Sequence, residues 1–150
     1  MSSKTLLKSV KNKPDGILLQ EYFSDDPWKC IVCCIFLNLT TFLQVRLVID
    51  EFFALCPGPN ELLAAETKDV KNLIAGLGLV NRRYETLRRF SKEWLQEWTH
   101  PLELHGVGKY ADDSFKIFVE GRTKDIWPTD SILSARLDRL KSESSHIENQ

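Results

Sequence analysis

Apolar residues recur along this chain at the spacing of an α-helix and almost nowhere at the spacing of a strand. The longest such run is Asn81 to Trp98, where Tyr84, Leu87, Phe90, Trp94 and Leu95 share one face. Thr40 or Thr41 opens a second run, with Phe42, Val45, Val48, Ile49, Phe52 and Phe53 inward, and Pro57-Gly58-Pro59 breaks it. Asp26 followed by Pro27 is an N-cap and then proline at the first helical position. It starts the segment Trp28 to Leu37, which is apolar on nearly every side and therefore predicts the central, buried helix. Asp15 is placed to cap a first helix through Ile17, Leu18 and Tyr22. A short helix over 60–65 and one capped by Thr67 and ending near Gly76 follow. A helix then runs from the glycine turn at 106–108 to about Glu120, with Gly121 as its stop. Pro128-Thr129-Asp130 opens the last, with Ile132, Leu133, Leu137 and Leu140. The reading is one all-α domain over 14–141, between a flexible basic tail at 1–13 and a polar, fraying tail at 142–150. At 150 residues the chain is long enough to bury a core without disulfides or a structural metal.

Composition removes several classes. The formal net charge is −1, so any case for nucleic acid must rest on local charge. Cys30, Cys33, Cys34 and Cys56 show no second Cys/His pair at ligand spacing and no four-cysteine iron–sulfur pattern, so no metal or other cofactor is expected. They read as small core hydrophobes in a reducing compartment. No signal peptide is evident, and the apolar run Cys30 to Leu37 is too short to span a bilayer, so no membrane partner is expected. Lys4, Lys8, Lys11 and Lys13 suit either nuclear entry and phosphate contact or a solvated tail.

Leu104-His-Gly-Val-Gly-Lys-Tyr110 is a tight turn between two helical segments. Gly106 and Gly108 permit the bend, Val107 pins it inward, and the amides after the turn begin a helix and suit a phosphate oxygen, with Lys109 beside them. This run resembles the hairpin of the helix–hairpin–helix DNA glycosylases, with His105 in place of the usual proline. Trp127-Pro-Thr-Asp130-Ser-Ile stands where that superfamily places an aspartate at a helix start. Gln20-Glu, Asp26-Pro-Trp-Lys29, Asn38-x-Thr40, Gly76-Leu-Gly-Leu79 and Glu103-Leu-His-Gly-Val-Gly-Lys-Tyr110 are similar to one branch, the methyl-CpG-binding-domain thymine glycosylases. The likeness runs from about Gln20 to Leu140. No methyl-CpG-binding module is recognisable, so the chain reads as a glycosylase domain alone or a fragment.

The resemblance implies a helix–hairpin–helix glycosylase fold without an iron–sulfur cluster, acting as a monomer on double-stranded DNA in the nucleus. The implied reaction is base-excision repair of thymine or uracil mispaired with guanine. Asp130 is the implied catalytic carboxylate, stabilising the sugar cation and activating water. Read without the resemblance, it is a plain N-cap. Gln20 and Tyr110 are the implied pocket for the extruded base; by themselves they are a surface glutamine and a core tyrosine. Tyr110 stands where lyase-type relatives carry a nucleophilic lysine, and a phenol forms no Schiff base, so the implied enzyme hydrolyses the glycosidic bond without cutting the strand. Leu79 is the implied wedge into the duplex. Gly106, Val107, Gly108 and Lys109 hold phosphate. Arg82 and Arg83 head a stretch from Asn81 to Lys92 with five cations against one glutamate, which suits phosphate or, alternatively, a solvated helix face. Two departures stand out: Leu39 replaces an arginine near the extruded nucleotide, and Ser131-Ile132 replace polar and basic residues after Asp130. Asp112 and Asp113 read as solvent-facing or capping. The competing readings are a catalytically impaired helix–hairpin–helix DNA-binding domain and an all-α interaction module.

Overall fold

The computed structural model describes Val10 and residues 17–148, with side chains to residue 145. Asp15 and the four lysines of the basic tail lie outside the described residues. Val10, within that expected tail, is buried; its amide donates to the Asp50 carboxylate at 2.9 and 3.2 Å, and its carbonyl accepts from Arg46 Nε.

Every regular element among the described residues is helical. A 3-10 turn at Leu19–Phe23 leads into α1 (Pro27–Leu37), α2 (Phe42–Leu55), α3 (Pro59–Ala64), α4 (Thr67–Ile74), α5 (Val80–Trp94), α6 (Lys109–Ser114) and α7 (Ser131–Glu148). Asp26 caps α1 as expected, its carboxylate accepting from the Lys29 amide. Thr41 caps α2 in a reciprocal box with Gln44. α1 is the central helix: eight of its eleven residues are buried, against α2, α5, α6 and the 3-10 turn. Its apolar circumference requires that many neighbours.

Some boundaries differ from the sequence reading. Thr67 does not cap α4; it is the first helical residue, and its hydroxyl pairs with Tyr84 Oη at 2.9 Å. α5 ends at Trp94, short of the expected Trp98, whose indole turns back to donate to the Trp94 carbonyl. The post-hairpin helix is α for six residues and then π over Phe115–Val119, ahead of Gly121. α7 runs to Glu148, past the Ser142 boundary expected for a tail.

Two cores form. The larger gathers the 3-10 turn, α1, α2 and the inner faces of α3 to α6 around Ile31, Phe36, Phe52 and Phe90. A smaller one, Ile117, Ile126, Leu133 and Leu137, docks α7. A polar latch supplements it: Arg136 Nε and Nη2 donate to the two carboxylate oxygens of Glu21, at 2.9 and 2.6 Å, on the 3-10 turn 115 residues away in sequence. All four cysteines are buried and unbridged, with burial pushing the Cys34 thiol up to about 12 and the Cys56 thiol to about 11. They are core residues, as their apolar setting predicted. No helix of the described residues is long and apolar enough to cross a membrane, and no His, Cys, Asp or Glu group among them could hold a metal ion.

Candidate functional site

The hairpin at 104–108 packs on α1 and α5. Val107 is buried in the larger core and its amide closes a turn onto the Leu104 carbonyl. The His105 amide is held by Glu93 at 3.0 Å. Gly106 has φ +84°, and a Cβ there would lie 2.7 Å from Thr86, so backbone and packing both require glycine. Gly108 differs. Its φ is −102°, a Cβ would meet nothing within 4 Å, and it caps α6 without a side-chain hydrogen bond. The fold makes no demand for glycine there, and the open space faces a cleft.

That cleft, about 1370 Å³, joins the hairpin to the start of α7, the end of α1 and the start of α5. Asp130, Gln20, Tyr110, Leu79, Arg82, Arg83, Gly106, Gly108 and Lys109 all line it; of the sequence-predicted site residues only Val107 does not, because it anchors the turn from below. Residues separated by up to 110 positions thus share one opening.

Asp130 sits exposed at the N-cap of α7, where Oδ2 accepts from the Leu133 amide at 2.8 Å. The cap holds the carboxylate toward the cleft. Gln20 is fully buried; Nε2 donates to Tyr110 Oη at 2.8 Å and to Ser114 Oγ at 3.1 Å. Its Oε1 is buried without a hydrogen-bond partner among the described residues. An orphaned buried acceptor costs about 1–3 kcal/mol, so this one marks a place where a donor is missing. Burial pushes the Tyr110 phenol well above its usual range, with a smaller contribution from the nearby Asp130 charge, so the ring hydroxyl stays neutral.

The cationic stretch of α5 is not one face. Arg82 is exposed at the cleft. Arg83, expected to meet phosphate, is buried: Nε donates to the Gly78 carbonyl at 2.9 Å and Nη1 to the Phe36 carbonyl at 3.3 Å. Its role in the fold is to tie the loop before α5 to the end of α1. Arg88 turns toward the Leu63 carbonyl and Tyr84, and Arg89 pairs with Glu93. Lys109 is half exposed but ion-paired with Asp113 at 2.7 Å. Asp112 and Asp113 are buried rather than solvent-facing, because each is neutralised one turn away, by Lys116 and Lys109.

Two leucines at the cleft have left-handed backbone: Leu39 at φ 63°, 77% exposed, and Leu79 at φ 49°, 53% exposed. Leu39 follows the C-cap of α1, where glycine is the usual residue. Left-handed backbone costs a residue with a Cβ about 1–2 kcal/mol.

Sequence reasoning missed Ser114 and Cys34. Ser114 lies one turn after Tyr110, so the i, i+4 spacing was a usable signal. Cys34 lines the cleft from α1, with no signal beyond its helix.

The architecture and hairpin define the helix–hairpin–helix DNA glycosylase fold. A solved thermostable thymine-DNA glycosylase superposes with a TM-score of 0.64 at 22% identity, over 80% of this chain and 58% of that one. Sequence relatives agree. The chain is 42% identical over 125 residues to a methyl-CpG-binding domain protein 4-like protein of Arabidopsis thaliana, which is 83% of this chain and 28% of the relative. It is 31% identical over 94 residues to a thymine/uracil-DNA glycosylase of Pyrobaculum aerophilum and 32% over 93 to a thymine-DNA glycosylase of Aeropyrum pernix. Each of these covers 57% of this chain. No family model matches. The chain is thus related to the helix–hairpin–helix glycosylases, and it spans less than half the length of these curated relatives.

Proposed function

We propose that this chain is a monofunctional DNA glycosylase that hydrolyses the N-glycosidic bond of thymine or uracil mispaired with guanine. The observation that carries the reading is the orphaned Gln20 Oε1, buried in the same cleft as the exposed Asp130 carboxylate. Thymine and uracil present an imide N–H, the donor such an acceptor lacks, and cytosine does not. Tyr110, neutral and bonded to Gln20, fixes the amide's orientation.

With the base in the cleft, the sugar lies toward Asp130. The N1–C1′ bond breaks and its electron pair leaves on the base. Asp130 stabilises the positive charge on the sugar and accepts a proton from the water whose oxygen bonds to C1′. Hairpin amides around Gly108 hold a phosphate, and Leu79 fills the space vacated in the duplex. Tyr110 supplies no amine, so the reaction stops at the abasic site. The reading places the protein, as a monomer, in the compartment that holds genomic DNA, the nucleus in a eukaryote.

The test is to incubate the protein with duplexes carrying G·T, G·U or A·T and resolve the strands with and without alkali. Alkali-dependent breakage at the mismatch is expected. Breakage without alkali would identify a lyase, and mismatch binding without base release would identify a DNA-binding domain only.

A further inference from the structure

We propose that the Glu21–Arg136 pair sets the register between base reading and bond cleavage, by holding the helix that carries Asp130 at one distance and angle from the turn that carries Gln20. The proposal rests on the glycosylase reading and adds two positioning residues to it.

Gln20 and Asp130 serve one nucleotide from separate parts of the fold. Gln20 lies on the 3-10 turn, whose Leu19 and Phe23 belong to the larger core, and it bonds to Tyr110 and Ser114 of α6. Asp130 caps α7, which belongs to the smaller core. The nucleotide fixes the span from the base edge to C1′, so the two side chains must keep one spacing. A misplacement of about 1 Å costs about 10²-fold in rate.

Apolar contact alone does not hold that spacing. Leu18 and Tyr110 pack against the smaller core, but such contact is non-directional and lets a helix slide. The ion pair is directional. Arg136 Nε and Nη2 meet separate oxygens of one carboxylate, a planar fork that sets angle as well as distance. Glu21 Oε1 also accepts from the Leu18 amide at 3.4 Å, which ties the carboxylate to the backbone of its own turn. Side chains of adjacent residues on a 3-10 turn point about 120° apart, so Gln20 enters the cleft while Glu21 reaches α7. Arg136 lies within two turns of Asp130, between the buried Leu133 and Leu137. Its other carboxylate neighbour, Glu143 at 3.9 Å, is on α7 itself and fixes nothing across the gap. Both partners of the latch are largely withdrawn from water, so the pair escapes the screening of a surface pair. Neither lines the cleft, so any effect on the chemistry passes through Gln20 and Asp130.

Glu21→Gln tests this, because it keeps the size of the side chain and turns one acceptor of the fork into a donor. Single-turnover base release from a bound G·T duplex should fall at least about tenfold. Affinity for that duplex should stay within about twofold, the split expected when orientation is lost and binding is not. The double variant Glu21→Gln/Arg136→Gln should lose no more than the larger single loss, because the two side chains act as a unit. Val70→Ala, which opens a cavity in the larger core away from the cleft, should release base at the wild-type rate at the same temperature. A wild-type rate for Glu21→Gln, a double loss equal to the product of the singles, or an equal loss in Val70→Ala would overturn the proposal.

The register is also read without activity. Nitroxide labels on Ser24→Cys, just past the turn, and Asp138→Cys, on α7, occupy exposed positions, whereas the native thiols are buried. Their distance distribution should be narrow with the latch intact and should broaden or shift with Glu21→Gln; an unchanged distribution overturns the proposal. If the wild type releases no base, the glycosylase reading fails separately, and the label distance alone decides the register.

Discussion

At the scale of single residues, the two hairpin glycines differ in what the fold asks of them. Gly106→Ala forces a left-handed alanine against Thr86 and should cost about 1–3 kcal/mol of stability, read as a lowered denaturation midpoint. Gly108→Ala meets open space and ordinary backbone, so stability should hold while DNA affinity falls, read by fluorescence anisotropy. Asp130 caps α7 and, on the proposed function, also activates water, two tasks that a substitution can divide. Asp130→Asn keeps a good N-cap, so Tm should stay near wild type while base release falls by about 10²-fold or more, the usual scale for a general base. Tyr110 carries a pH prediction. Its raised phenol binds its proton more tightly folded than unfolded, so its contribution is intact below the unfolded value near 10 and is lost as pH rises past it. Tyr110→Phe should flatten the alkaline limb of the stability profile, measured by denaturant unfolding between pH 8 and 11.

Between elements, α7 is the one whose placement matters most to the proposed function, because it carries Asp130, and it docks through a small core and the Glu21–Arg136 latch. Glu21→Gln removes one partner of a partly buried ion pair and should destabilise by about 1–3 kcal/mol. Amide exchange of 131–137 should quicken before that of α1. The helices themselves were legible in the sequence wherever periodicity and capping agreed, as at Asp26-Pro27 and Thr41. The π segment was not, since Phe115 to Val119 has the composition of any amphipathic helix. Of the candidate site, the glycine turn and the Asp130 cap were legible as local signals, while the part assigned to each in a site came from the resemblance. The latch joins residues 115 positions apart and left no local trace. Arg83 was misread because its cation-rich neighbourhood resembles a surface, whereas the two carbonyls that bury it come from distant turns.

Over the whole molecule, charge is arranged rather than abundant. With a net charge of −1, long-range attraction to a polyanion is weak, so on the proposed function DNA affinity would depend on cations placed at the cleft. Arg82 is such a cation; Lys109 is already neutralised by Asp113. Arg82→Ala should make the slope of log affinity against log salt shallower by about 0.9, the effect of one lost phosphate contact. The buried thiols of α1 have a further consequence for handling this protein. Cys30, Cys33 and Cys34 lie in its most enclosed helix and are held protonated, so an alkylating reagent finds no thiolate until that helix is opened. Their labelling rate is therefore a clock for global opening, built into the chain, against which every substitution above can be timed without a spectroscopic probe.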